Sequence, residues 1–143
     1  GALALAGNHE MRWLNSKDKK IKRWHPFLRE LSAVEVIGNY IFAHAGIDTN
    51  KPLNKQIKEY TTGHYSHSLN RQIPKNKYLV HGHVPNDRYG LKKDEIYKSK
   101  NELSIDTGAG HNKFLSLIDL TGQYQYSVEV TNIRKMNIKR LKI

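Results

Sequence analysis

The chain contains no cysteine in its 143 residues, which excludes disulfides and thiolate metal sites. No apolar run approaches the ~20 residues needed to cross a bilayer. The opening "GALALA" is too short for a signal peptide and lacks its basic flank. A soluble, cytoplasmic protein with no membrane partner is therefore expected. Acidic residues are scarce, 13 against 24 Lys and Arg, for a formal charge of +11. This imbalance favours phosphate-bearing partners by simple attraction. No zinc finger or aromatic ribonucleoprotein signature accompanies it, so nucleic acid is a permitted partner without a motif behind it. Much of the excess sits in "KDKKIKR" (Lys17 to Arg23) and in the tail from Ile133 to Ile143. The first run reads as the solvated basic face of a helix. No repeat, low-complexity segment or linker divides the chain, and residues 1–143 read as a single domain large enough for a core.

What is present alternates between short apolar segments and small polar loops. Met11 to Leu31 looks helical but interrupted, broken near Pro26, with Phe27, Leu28 and Leu31 sharing one face. "VEVI-GN-YIFA" reads as a hairpin with Gly38-Asn39 as its two-residue turn. Leu53 to Tyr60 is weakly helical, and "KYLV" (Lys77 to Val80) is a short strand of the buried type. Near the end, "KFLSLIDL" turns at Thr121-Gly122 into "QYQYSVEV", where Tyr124, Tyr126, Val128 and Val130 alternate with polar residues. That period places one face of the strand in the core and the other in water, with the Tyr and Val side expected inside. The class is α/β or α+β, strand-rich in its C-terminal half. Thr131 to Ile143 is expected to cover a sheet edge.

Three times an apolar segment empties into a loop that combines Gly with His: "LAGNHE", "FAHAG" and "LVHGH". Strand ends are where a rigid scaffold presents reactive side chains. Taken alone, "GNHE" is equally a turn followed by a helix cap. Taken together, Asn8, His44 and His83 are neutral donors suited to a borderline divalent ion such as Mn, Zn or Fe. With no Cys available, a structural zinc site of the common kind is disfavoured.

These residues, in this order, resemble the metallophosphoesterase (calcineurin-like) superfamily and its serine/threonine protein phosphatase branch. The resemblance is carried by Gly7-Asn8-His9-Glu10, His44-Ala45-Gly46 and Gly82-His83, with "IDTGA" (Ile105 to Ala109) looking like the segment that closes the site in bacterial members. It covers about the first 120 residues and implies part of a β-sandwich flanked by helices. It further implies that Asn8, His44 and His83 ligate one metal of a two-metal site, with Mn foremost and Fe or Zn as alternatives. His9 would be the general acid, Glu10 would order the loop, and His81 would have a supporting or structural role. Arg71, the one Arg between the second and third loops, is the candidate phosphate contact.

Two upstream strings of the family, Gly-Asp-x-His and Gly-Asp-x-x-Asp-Arg-Gly, do not occur in the chain. They supply the second metal's ligands, the bridging Asp and the Asp partner of the GNHE histidine. The expectation is the C-terminal portion of a phosphomonoester-hydrolysing domain, incomplete by itself. The alternatives are a dinucleoside tetraphosphatase of the same superfamily and a catalytically dead module that binds phosphorylated or nucleic-acid partners.

Overall fold

The hairpin expected around Gly38-Asn39 forms, and it anchors the larger sheet. In this computed structural model, which describes residues 1–64, 72–131 and 137–143, β1 (Val34–Ile37) pairs antiparallel with β2 (Tyr40–Ala43) in the register Val34↔Ala43 to Ile37↔Tyr40. Gly38 takes φ +57, which a Cβ would oppose and which lets the chain reverse in two residues. β3 (Tyr78–His81) then lies parallel to β2, with Ile41 opposite Leu79. With β4 (Tyr97–Lys98) and β5 (Glu102–Ser104) the strand order is β1-β2-β3-β5-β4. A second, antiparallel sheet has the order β6-β7-β8, from Phe114–Asp119, Tyr124–Glu129 and Lys139–Lys142. With the helices α1 (Asn8–Leu14), α2 (Lys19–Lys22) and α3 (His25–Glu30), the class is α+β.

The chain forms two compact units, residues 1–83 with 99–102 and residues 84–98 with 103–143. In the first, Ile41, Ala43, Ile47 and Leu79 form the core, with Val34, Leu53 and Ile73 packed against them. A smaller cluster of Ala6, Leu28 and Leu31 seats the helices. The helical segment differs from expectation in two ways. It begins at Asn8, and Pro26 stands in the first turn of α3, where its missing N–H costs nothing. Phe27 is not on the buried face with Leu28 and Leu31. It is 56% exposed, because α3 has little more than one turn and lays a narrow stripe on the core.

In the second unit, β6 and β7 pair as expected, but the inside and outside of β7 are exchanged. Gln125 and Ser127 are buried, whereas Tyr124, Tyr126 and Val128 are half-exposed. For Gln125 the cause is hydrogen bonding, whereas the Ser127 hydroxyl finds no partner among the described residues. The Gln125 Nε2 donates to the Asp94 carbonyl at 2.8 Å and to Ser116 Oγ at 2.9 Å, and Ser116 Oγ meets Thr107 Oγ1 at 2.8 Å. A polar side chain whose donors are met this way is buried at little cost. On the other face the Arg140 guanidinium lies 3.7 Å from the Tyr124 ring centroid. The tail does supply an edge strand: β8 pairs with β7 in the register Tyr124↔Lys142 to Ser127↔Lys139. Ile133 and Met136 fall outside the described residues.

Candidate metal centre

The three Gly-and-His loops adjoin different elements of the first unit, the first preceding α1 and the others following β2 and β3. Gly7 is extended (φ −112, ψ 175) and precedes α1. The Glu10 carboxylate reaches back to accept from the Gly7 N–H at 2.9 Å, closing the first helical turn. A Cβ at position 7 would stand 2.6 Å from Glu10 Oε2 and 3.1 Å from His44 Nδ1, so the close approach requires glycine. The second loop follows β2. The Ala45 N–H donates to Thr61, and the His44 carbonyl accepts from the Gly82 N–H, both at 2.8 Å. That second bond fixes the HAG loop to the HGH loop.

The structure brings Asn8, His44 and His83 together, although 36 and 39 residues separate them in sequence. Asn8 Oδ1 lies 3.0 Å and His83 Nδ1 3.1 Å from His44 Nε2. All three side chains are half-buried, and the two rings sit with centroids 5.0 Å apart. His83 holds φ +75, a left-handed conformation that L-residues adopt at a cost of order 1 kcal/mol. Gly63, at φ +135, faces its other side: a Cβ there would come within 2.5 Å of His83 Nε2.

One nitrogen cannot serve both neighbours well. If Nε2 of His44 carries the proton, that proton must be divided between two acceptors. If it does not, its lone pair faces the Asn8 carbonyl oxygen. A divalent cation among the three would resolve the conflict, since each atom can then offer a lone pair. The spacing fits such an ion: at metal–donor distances of ~2.1 Å, neighbouring donors stand about 3.0–3.4 Å apart. Among the described residues no group of three or more His, Asp or Glu side chains is gathered as a metal site. The triad obtains its third donor from an asparagine amide, and among the described residues a second ion's ligands are not assembled beside it.

The remaining candidates fall in different places. His9 is exposed in the first turn of α1. His81 is buried, with Nε2 3.1 Å from Oε1 of Glu102, itself fully buried. This pair sits at the end of β3, two residues before His83. Burial, with Tyr40 and Glu102 adding, pushes the nearby Tyr78 phenol up. Arg71 lies outside the described residues. Glu102 and Gly63 were not singled out in the sequence. The Gly of "TTGH" was a readable loop signal, whereas nothing in "NELSID" marks its Glu as buried.

No family model matches the chain, and comparison with curated proteins and with solved structures gives no match either.

Proposed function

We propose that this chain carries one metal half-site of a phosphoesterase that hydrolyses phosphomonoesters in the cytoplasm, phosphoserine or phosphothreonine being the leading substrate class. The observation that supports this reading is the convergence of Asn8 Oδ1, from the start of α1, and His83 Nδ1, from the loop after β3, on His44 Nε2, from the loop after β2. Asn8, His44 and His83 would hold one divalent ion, with Mn the first choice. Such an ion, when bound with its neighbour, polarises the phosphoryl group and lowers the pKa of a bound water.

The protein's own part is geometry and proton transfer. Neutral ligands leave the ion's charge undiminished for a phosphate. His9, adjacent to Asn8 in the first turn of α1 and exposed, would be the group that gives a leaving-group oxygen its proton. General-acid help of that kind is worth ~10²–10⁴-fold, provided the imidazole is oriented. In the family that His9 resembles, an Asp from a Gly-Asp motif orients it, and no such motif occurs in this chain. The chain alone is therefore expected to bind the ion and turn over slowly.

The test is p-nitrophenyl phosphate hydrolysis in Mn²⁺, comparing the chain alone with the chain joined to a segment bearing both aspartate motifs. Turnover that appears in the joined form and is lost in His9→Asn and in His44→Ala supports the reading. Brisk turnover by the chain alone, undiminished by His44→Ala, overturns it. Silence from both forms, with retained phosphopeptide binding, favours a dead binding module.

A further inference from the structure

We propose that the surface formed by the end of α1, by α2 and by the start of α3 is a peripheral docking site for an anionic phospholipid bilayer. The carrying observation is a group of large apolar side chains left in water. Trp13 is 45%, Trp24 52% and Phe27 56% exposed. Their backbone segments are tied together. The buried His25 ring donates through Nε2 to the Trp13 carbonyl at 3.0 Å, which ties the end of α1 to the residue after Trp24. Trp24 and Phe27 stand three residues apart at the start of α3, on one side of the helix.

Cations surround this group. Lys19, Lys20 and Lys22 make up all of α2 except Ile21, and all three are exposed. Lys17 and Arg23 flank them, and the Arg23 guanidinium lies 5.2 Å from the Trp24 ring centroid. The single acid in the run, Asp18, is used as the cap of α2, accepting from the Lys20 N–H at 2.8 Å. A patch that is both aromatic and strongly cationic is complementary to a surface with an apolar interior and anionic headgroups. Exposed Trp and Phe would sit at the acyl boundary while the lysines reach the headgroup phosphates. Clusters of four or more Lys/Arg beside apolar residues are the electrostatic signature of binding to phosphatidylserine-rich leaflets. The alternative polyanion, single-stranded nucleic acid, needs open ring faces for stacking and prefers the forked geometry of Arg. Here the cations of the run are mainly lysines, and Arg23 covers one face of Trp24. The contact is peripheral: no helix among the described residues is long and apolar enough to cross a membrane. It revises the expectation of no membrane partner, on side-chain exposures that helical periodicity did not reveal.

The chain's only two tryptophans are Trp13 and Trp24, so intrinsic fluorescence reads this surface directly. The experiment is titration with phosphatidylcholine vesicles, plain or containing about one third phosphatidylserine, followed by sedimentation and tryptophan emission. Expected are binding to the anionic vesicles only, a blue shift, and quenching by lipids brominated in the acyl chains. Trp24→Ala with Phe27→Ala should weaken partitioning roughly tenfold or more, and Lys20→Glu with Lys22→Glu should weaken it further at unchanged far-ultraviolet circular dichroism. Failure to sediment with anionic vesicles overturns the proposal. So does sedimentation without acyl-chain quenching, or tighter capture of a single-stranded oligonucleotide by the same residues.

Discussion

The two units differ in what their strands bury, and the contrast bears on where the chain's reactive groups stand. In the first, an aliphatic core of Ile41, Ala43, Ile47 and Leu79 fixes β2 and β3, and His44 and His83 follow where those strands end. In the second, the interior includes Asn86, Ser104, Thr107, Gln125 and Ser127, while Leu115 and Leu117 face water at 57% and 64% exposure. An apolar core holds strands without consuming hydrogen-bonding groups, which leaves Asn8, His44 and His83 available to one another. Most of that polar interior, Ser127 Oγ excepted, spends its donors and acceptors on itself. Asn86 illustrates this: its Nδ2 donates to the carbonyls of Ser104 at 2.7 Å and Glu95 at 3.2 Å, and its Oδ1 accepts from Ser104 Oγ at 2.7 Å.

The comparison can be broken by substitutions that exchange the two logics. Leu79→Ala removes a fully buried side chain from the apolar core and should cost about 3–4 kcal/mol in urea unfolding. A cost below about 1 kcal/mol would mean that the core of the first unit is loosely packed. Asn86→Ala is expected to cost about 2–3 kcal/mol, since it strands the buried carbonyl and hydroxyl of Ser104 and releases the Glu95 carbonyl. If Asn86→Leu were as stable as the native chain, the polar interior would be dispensable. A smaller effect concerns acid. The hydrogen bond from Lys113, with the charges of Lys113, Lys93 and Arg88, holds the Asp87 carboxyl below the ordinary range. A depressed folded pKa stabilises the fold above the unfolded value, and that contribution is lost as pH falls through the folded one. Asp87→Asn should therefore lower stability at neutral pH and remove part of the acid sensitivity. A parallel loss at every pH would argue against the ion pair. Smallest of all, Leu117→Thr should change stability by less than about 0.5 kcal/mol, because the side chain is already in water and threonine suits a strand. A loss above 1 kcal/mol would show that this face is covered in solution.

How much of this was legible depended on whether a feature is local. The Gly38-Asn39 hairpin was readable because a two-residue turn and its flanking strands lie within ten residues. The edge strand from the tail was readable for a similar reason, an apolar-basic alternation next to a strand in need of cover. The meeting of His44 and His83 could be anticipated from strands that end side by side, since parallel β2 and β3 release both on one edge, whereas Asn8 arrives at the start of α1 after only an isolated bridge at Leu5. Which face of β7 turns inward could not be read. Its period of two is the same either way, and the decision lies with Ser116 and the Asp94 carbonyl, which meet Gln125 only in the folded chain. Phe27 failed because helical periodicity does not say how wide a stripe the neighbours will cover. Glu102 failed because a buried carboxylate has no sequence signature apart from its partner, here His81.

The central claim is that Asn8, His44 and His83 form one divalent-ion site, and calorimetric titration with Mn²⁺ tests it most directly. The account predicts one equivalent bound by the native chain, near-complete loss in His44→Ala, and a loss of roughly tenfold or more in Asn8→Ala. His9→Ala should leave affinity almost unchanged, because His9 is not among the three donors. Binding that survives His44→Ala, or that falls equally with His9→Ala, would contradict the claim.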